Sequence, residues 1–341
     1  MKRWQTPLHS CRAAGRASGT RMTQISTSTT LAERSSGRSA AAKRKLSRRQ
    51  RRELYWGLGF VSLAVGGFIL LKVIPIVASF VISLTDWNVA RAPSFIGLNN
   101  YMRMLTADPL FWKSLWVTAY YSLFSVPVSM AFAFALAMLL NTRIPALGMF
   151  RTLFYLPSII PVIASSILWL WMFNPDFGLF NAGLDLLGLP RQRFIYEEGQ
   201  VIPSLVFMSM WSVGPMMIIF LAGLQDVPNQ LYEAVDIDGG NAWHKLRHVT
   251  IPMMTPTILF NLLISIVAAL QTFVQAFIMT EGGPNNGSLF IVFYIYRKAF
   301  QEQQMGYASA LAWALFLVIC ALSILVFKTS NRWVFYHGGD D

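Results

Sequence analysis

Charged side chains are scarce in this chain. Only 13% of its 341 residues are Asp, Glu, Lys or Arg, while 55% are hydrophobic. An ordinary soluble domain carries about 25% charged residues. That deficit, with several apolar runs longer than about 18 residues, excludes a soluble globular protein. The runs are continuous rather than alternating, which excludes a membrane barrel. Cysteine is nearly absent: Cys11 and Cys320 have neither spacing nor context for a disulfide or a metal site. No secretory signal peptide is visible, because the first apolar run begins near Trp56 and has no small-residue cleavage site behind it. No Gly-Lys pair occurs, so a Walker A loop is excluded. No nucleophile–base or metal constellation is present, and no Asp or Glu lies firmly inside an apolar run. No catalytic residue and no metal ligand is assigned, and an enzyme is not expected.

The charge that is present is unevenly placed. The net charge is +12, and residues 1–54, with 14 Lys/Arg against Glu33 and Glu53, carry all of it. The other 287 residues hold 14 basic and 14 acidic side chains and sum to zero. Residues 1–54 are Ser/Thr/Arg-rich without hydrophobic period and read as a disordered basic cytoplasmic tail. Met22 is an alternative start. The cluster Lys43, Arg44, Lys45, Arg48, Arg49, Arg51 and Arg52 abuts the first apolar run, as a positive-inside signal touching anionic membrane lipid would. No nucleic-acid partner is expected.

Six runs read as transmembrane helices: about Trp56–Leu84, Phe111–Leu140, Phe150–Phe173, Val201–Leu224, Thr257–Met279 and Ala308–Phe327. Prolines 75, 127, 157 and 161 fall inside or near their starts. Lys72 lies mid-span, where a lysine must face protein or water, or snorkel. The expected fold is an all-α polytopic membrane protein with six transmembrane helices and both termini in the cytoplasm. The expected segments are 1–54, the tail; 55–110, the first helix and an external loop; 111–328, a five-helix transmembrane domain with a cytoplasmic loop at 225–256; and 329–341, a C-terminal tail.

The polar stretch between spans four and five is Leu231–Pro252, with charges of both signs. Asp226 and Pro228 suggest a helix start, as a capping carboxylate followed by proline. Leu231, Ala234, Val235 and Asp238 fall on one helical face. Gly239-Gly240 stops that helix, Asn241 can cap a second, and Pro252 ends the second and hands the chain to span five. A helix pair tied to a membrane helix can pass a push from a cytosolic partner into the bilayer. The alternative is a hairpin lying on lipid headgroups, against which Glu233, Asp236 and Asp238 argue by repelling anionic lipid. His244 and His248 stand at i, i+4, but two ligands without a third make a poor metal site.

Glu233-Ala234-Val235, three residues, Gly239, nine residues and Val249-Thr250-Ile251-Pro252 resembles the EAA loop of binding-protein-dependent ABC importer permeases. That pattern reads Glu-Ala-Ala, three residues, Gly, nine residues, Ile-x-Leu-Pro, so the departures are Val235, Val249 and Ile251, all apolar. Thr85-Asp86-Trp87, Phe95–Tyr101, Gly282-Gly283-Pro284, Tyr294-Ile295-Tyr296 and Gly306–Ala310 are similar to sugar-importer permeases, of the kind of the maltose and glycerol-3-phosphate permease subunits. The resemblance spans roughly residues 55–336 and implies a type I ABC importer permease fold in the bacterial cytoplasmic (inner) membrane. It implies a second permease subunit, usually in a heterodimer, two ATPase subunits and an extracytoplasmic solute-binding protein. It implies no cofactor on this chain, with ATP and magnesium used by the ATPase. It places ATPase coupling on Glu233, Ala234, Asp238, Gly239 and Pro252.

A polar stripe along span five gives a substrate-pathway candidate: Asn261, Ser265, Ala268, Thr272, Gln275 and Met279, with Gln271 one step aside. Hydroxyls and amides suit a sugar's donors and acceptors, and equally suit polar glue between helices. Counted from Gly282-Gly283-Pro284, the resemblance places sugar contacts at Ser265, Ala268, Ala269 and Thr272, and on span four near Ser212, Val213 and Met216. A secondary transporter or channel for a polar solute remains the rival reading. That class usually shows intramembrane acidic residues or paired broken helices.

Overall fold

The computed structural model describes residues 47–142 and 146–335. Cys11, Met22, Lys43, Arg44, Lys45 and Arg143 lie outside the described residues, as do residues 336–341. By contacts the chain divides into a unit ending at Val65 and a unit beginning at Gly66. In the first, the described part is helical from Arg48, and an exposed Arg49–Glu53 ion pair of 3.0 Å spans one turn. The last residues of the stretch expected to be disordered thus already belong to the helix. Helix-compatible Arg and Glu at i, i+4 spacing extend it past the apolar boundary.

Among the described residues all regular structure is helical, apart from an isolated bridge between Thr85 and Phe95. Four helices are long and apolar enough to cross a membrane: Tyr55–Ser83, Pro109–Leu140, Ala242–Leu270 and Met305–Ser330. Spans three and four, expected as single helices, are broken. Leu147–Ile159 and Val162–Met172 meet at 95°, and Glu198–Ser212 and Gly214–Gln225 meet at 54°. Proline explains both. Ile160, before Pro161, is extended at ψ 129°, as the residue preceding a proline prefers. Pro215 sits in the first turn of its half-helix, where a missing N–H costs nothing. Counting each bent pair as one crossing gives six.

Span five also differs from expectation. Its helix begins at Ala242, within the polar stretch, and ends at Leu270 rather than Met279. Pro252 therefore does not end a short helix; it lies inside a continuous one. A π-turn at Leu246–Thr250, closed by Ile251 N–H to the Leu246 carbonyl, widens the helix just before the proline ring.

Two buried clusters fill the second unit. One holds Phe173, Val201, Phe290, Tyr294 and Leu311. The other holds Leu140, Met217, Phe220 and Met254, with Leu231, Tyr232 and Val235 of the polar stretch packed against it. Lipid tails are as apolar as these side chains, so between spans the stabilisation comes from close packing more than from leaving water.

The loop 84–98 is fixed to the start of span six. Gly306 N–H donates to the Trp87 carbonyl at 3.0 Å, and a Cβ on Gly306 would fall on the Thr85 carbonyl. Buried Asn100 donates to the Ser83 and Thr85 carbonyls, both at 2.8 Å. Two motifs that the sequence holds about 220 residues apart, Thr85-Asp86-Trp87 and Gly306-Tyr307, are thus one structural joint.

Candidate functional site: a polar cavity and an exposed helical ridge

Between the broken spans and span five lies a cavity of about 500 Å³. All six residues expected on the pathway line it: Ser212, Met216, Asn261, Ser265, Thr272 and Gln275. Their spacing brings them together for a reason the stripe alone did not show. The helix ends at Leu270, with Gln271 as its C-cap, and the chain turns so that Thr272 and Gln275 stay on the cavity side while Gln271 is exposed. Met279 does not join them; it is buried in the aromatic cluster.

Sequence reasoning missed the opposite wall. Tyr121, Ser125 and Ser129 of span two, Ser158 and Ser165 flanking the break in span three, and Trp211 also line the cavity. Ser129 and Ser209 share a hydrogen bond of 2.8 Å, and Asn261 donates to the Thr257 carbonyl at 3.1 Å. The serine spacing at 125 and 129, one helical turn apart, was the available signal. None of the lining side chains is charged. An uncharged set of hydroxyls and amides beside an indole can hydrogen-bond a neutral polar solute and stack on one apolar face of it.

At one end of the bundle the polar stretch forms a short helix, Asn229–Ile237, a turn, and the start of the long helix at Ala242. Gly239 makes the turn at φ +75°, a conformation costly for any residue with a Cβ. Asn241 caps the second helix, accepting from Trp243 N–H at 3.0 Å and His244 N–H at 3.1 Å. His244 returns to the cap, with Nδ1 3.3 Å from the Asn241 backbone nitrogen, so this ring is occupied in folding the turn. Among the described residues no group of three His, Cys, Asp or Glu side chains converges as metal ligands would.

Two details of the stretch differ from expectation. Asp226 closes the preceding helix, and Pro228 starts the next without a side-chain cap. The buried face carries Leu231, Tyr232 and Val235, tied down by Tyr232 Oη to Thr250 Oγ1 at 3.1 Å. Ala234 and Asp238 point outward instead, beside Glu233. Tyr232 outweighs small Ala234 in choosing which side is buried. The result is an exposed ridge of Glu233, Ala234, Ile237 and Asp238, with Ile237 86% exposed and Trp243 61% exposed nearby. Lys245 pairs with Asp236 at 2.6 Å across the turn, leaving Glu233 with no ion pair among the described residues. Pro252 is half-buried at the root of the ridge.

The opposite end is held by Asp108, which sequence reasoning did not single out. Asp108 caps span two through Leu110 N–H at 3.0 Å and Phe111 N–H at 3.2 Å. It also accepts from the Tyr294 hydroxyl at 2.5 Å and from the Tyr307 hydroxyl. The Arg103 guanidinium stands over the Tyr307 ring at 4.5 Å, and the Lys298 ammonium over the Tyr294 ring at 5.3 Å. Burial pushes the Asp108 carboxyl up, but the two phenols and two amides outweigh it and hold the group below the usual carboxylate range.

Comparison with known proteins supplies an independent finding. A family profile described as binding-protein-dependent transport system inner membrane component matches residues 125–335. The chain is 38% identical over 309 residues to the probable ABC transporter permease protein YesP of Bacillus subtilis (strain 168), covering 89% of this chain and 99% of that one. It is 31% identical over 279 residues to the probable starch degradation products transport system permease protein AmyD of Thermoanaerobacterium thermosulfurigenes, covering 81% and 94%. Its fold matches a chain in the crystal structure of a bacterial alginate ABC transporter in complex with an alginate pentasaccharide-bound periplasmic protein. That match has a TM-score of 0.72 at 20% identity and covers 83% of this chain and 96% of that one.

Proposed function

The chain belongs to the family of inner membrane components of binding-protein-dependent transport systems and is a permease subunit of an ABC importer; from there we propose that its cargo is a sugar or sugar-like solute. The observation that carries this reading is the cavity: about 500 Å³ and uncharged, with serine and threonine hydroxyls, two amides and an indole set among apolar side chains. The relative named for starch degradation products supports the same class.

In this reading the chain forms half of the pathway, and a second permease subunit forms the rest as a heterodimer. Of the two ATPase subunits, one docks on this chain's ridge at Glu233, Ala234, Asp238 and Gly239, which Pro252 roots in span five, and the other docks on the second permease. This chain binds no cofactor; ATP and magnesium are used by the ATPase. An extracytoplasmic binding protein delivers the solute. Both termini lie in the cytoplasm of a bacterial inner membrane protein.

The cargo is tested by uptake of labelled neutral oligosaccharides, with an amino acid and an organic anion as controls. Replacing Thr272 or Asn261 by a similar-sized apolar residue removes one hydrogen bond to the solute, worth about 0.5–1.5 kcal/mol, so a rise in half-saturation of about three- to tenfold is expected. Uptake of the amino acid alone would overturn the sugar assignment.

A further inference from the structure

The joint between Thr85-Asp86-Trp87 and Gly306-Tyr307 encloses a second cavity, of about 440 Å³, at the end of the bundle away from the ridge. Asp86, Trp87, Asn88, Asn99, Arg103 and Gln304 line it, with Tyr307 beside them. Its frame is fixed from within. Buried Asn100 donates to the Ser83 and Thr85 carbonyls, and Asp86 Oδ1 accepts the Ser94 N–H at 2.9 Å and hydroxyl at 2.7 Å. Other groups on the wall are unspent. Among the described residues the Trp87 indole N–H and the Asn99 side-chain amide make no hydrogen bond, and Arg103 makes no ion pair, only its contact over the Tyr307 ring. Gln304 Oε1 is buried without a partner. A buried acceptor in that state is costly and calls for a donor from outside.

The set of groups points to one ligand chemistry. Asp86 and Arg103 on one wall offset each other in charge, which favours a neutral ligand over a free anion. Donors from Arg103, Trp87 and Asn99 stand among acceptors from Asp86 and Gln304, and sugar hydroxyls both donate and accept. An indole offers the apolar face that a sugar ring also needs. The place fits as well. Tyr307, at this cavity, donates to Asp108, the cap of span two, and Tyr121 of the same helix lines the cavity inside the bundle. Thirteen residues at 1.5 Å put the two about 20 Å apart along one helix. We propose that the second cavity is a saccharide entry site, holding one sugar unit of the cargo before the inner cavity receives it. This deepens the sugar reading and rests on it, and on this end of the bundle being the outer one.

The test uses the full assembled complex in vesicles with its binding protein. The probe is a mixture of neutral oligosaccharides of glucose, galactose, xylose and arabinose, each carrying a photoreactive diazirine. Labelled peptides are mapped by mass spectrometry. Label is expected at two places, 86–103 with 304–307, and the inner wall 261–275. Trp87→Ala and Arg103→Gln should each lower the outer label about three- to tenfold and keep the inner label within about twofold, and Thr272→Val should do the reverse. Inner label retained in a variant shows that it is folded and assembled, and the wild-type map decides where a variant is not. Label at the inner wall alone, or outer label unchanged in both outer variants, would overturn the entry site and leave the sugar reading standing. So would crosslinking of a diazirine side chain at Asn99 to the binding protein with no outer saccharide label, which would assign the cavity to a protein contact. Label at neither place would sink both readings.

Discussion

Replacing Glu233 by lysine is expected to cut ATP-driven uptake by about thirtyfold or more while the chain stays folded in the membrane. Glu233 is exposed on the ridge and makes no ion pair among the described residues, so its removal costs the fold little. Its charge matters only when a partner covers it. Reversing a charge at a docked interface typically costs 2–5 kcal/mol, about 30- to several-thousandfold in affinity. Gly239→Asp should act similarly by a second route. Nothing lies within 4 Å of where its Cβ would be, so no clash arises, but φ is +75°. A non-glycine residue there pays about 1–2 kcal/mol and tilts the ridge. Gly239→Ala separates the two effects, keeping the strain without the charge. The readout is co-purification of the ATPase with each variant. Undiminished co-purification with Glu233→Lys would remove the ridge from the coupling role.

The second large effect is on stability. Asp108→Ala removes a helix cap, worth about 1 kcal/mol, and two charge-assisted hydrogen bonds from Tyr294 and Tyr307 worth about 1.5–3 kcal/mol each before allowance for partial exposure. A net loss of about 3 kcal/mol is expected, seen as a lower thermal midpoint of the detergent-solubilised chain. Asp108→Asn should keep part of the cap and lose less. The pH dependence follows from the lowered carboxyl. Its contribution is present in full above the unfolded value near 4 and fades as pH falls through the lower folded value. The stability gap between wild type and Asp108→Asn should therefore be constant from pH 5 to 8 and shrink only in stronger acid. An unchanged midpoint in Asp108→Ala would show the tyrosines are held by packing alone.

Much of the architecture could be read from residues. Apolar runs located the crossings, and the hydroxyl and amide spacing of Asn261, Ser265 and Thr272 picked out the cavity wall. The Gly239 turn and the Asn241 cap were legible because backbone geometry leaves few other residues for those jobs. Hydropathy could not show the breaks in spans three and four, since a bent apolar run scores the same as a straight one. Pro161 and Pro215 stand at the breaks, but Pro127 sits inside an unbroken helix, so proline alone does not decide. The start of span five was hidden because a polar turn can continue into a membrane helix without a local stop. The stripe Leu231, Ala234, Val235 and Asp238 is split in the fold, with Leu231 and Val235 turned inward and Ala234 and Asp238 exposed, because a nine-residue helix fits several apolar stripes and packing against the cluster of Val249 and Met254 chooses among them. The Asp108 clamp joins residues 186 and 199 positions apart, beyond any local pattern.

The paired broken helices raise the rival reading of a gradient-driven transporter, which such helices often accompany. The uncharged cavity and the exposed ridge favour an ATP motor instead. The decisive measurement is solute uptake into vesicles containing the assembled complex, with ATP supplied inside and all ion gradients collapsed. Uptake should continue under those conditions and stop when ATP is withdrawn. Uptake that survives ATP withdrawal but vanishes with the gradient would contradict the assignment of this chain as an ATP-driven permease.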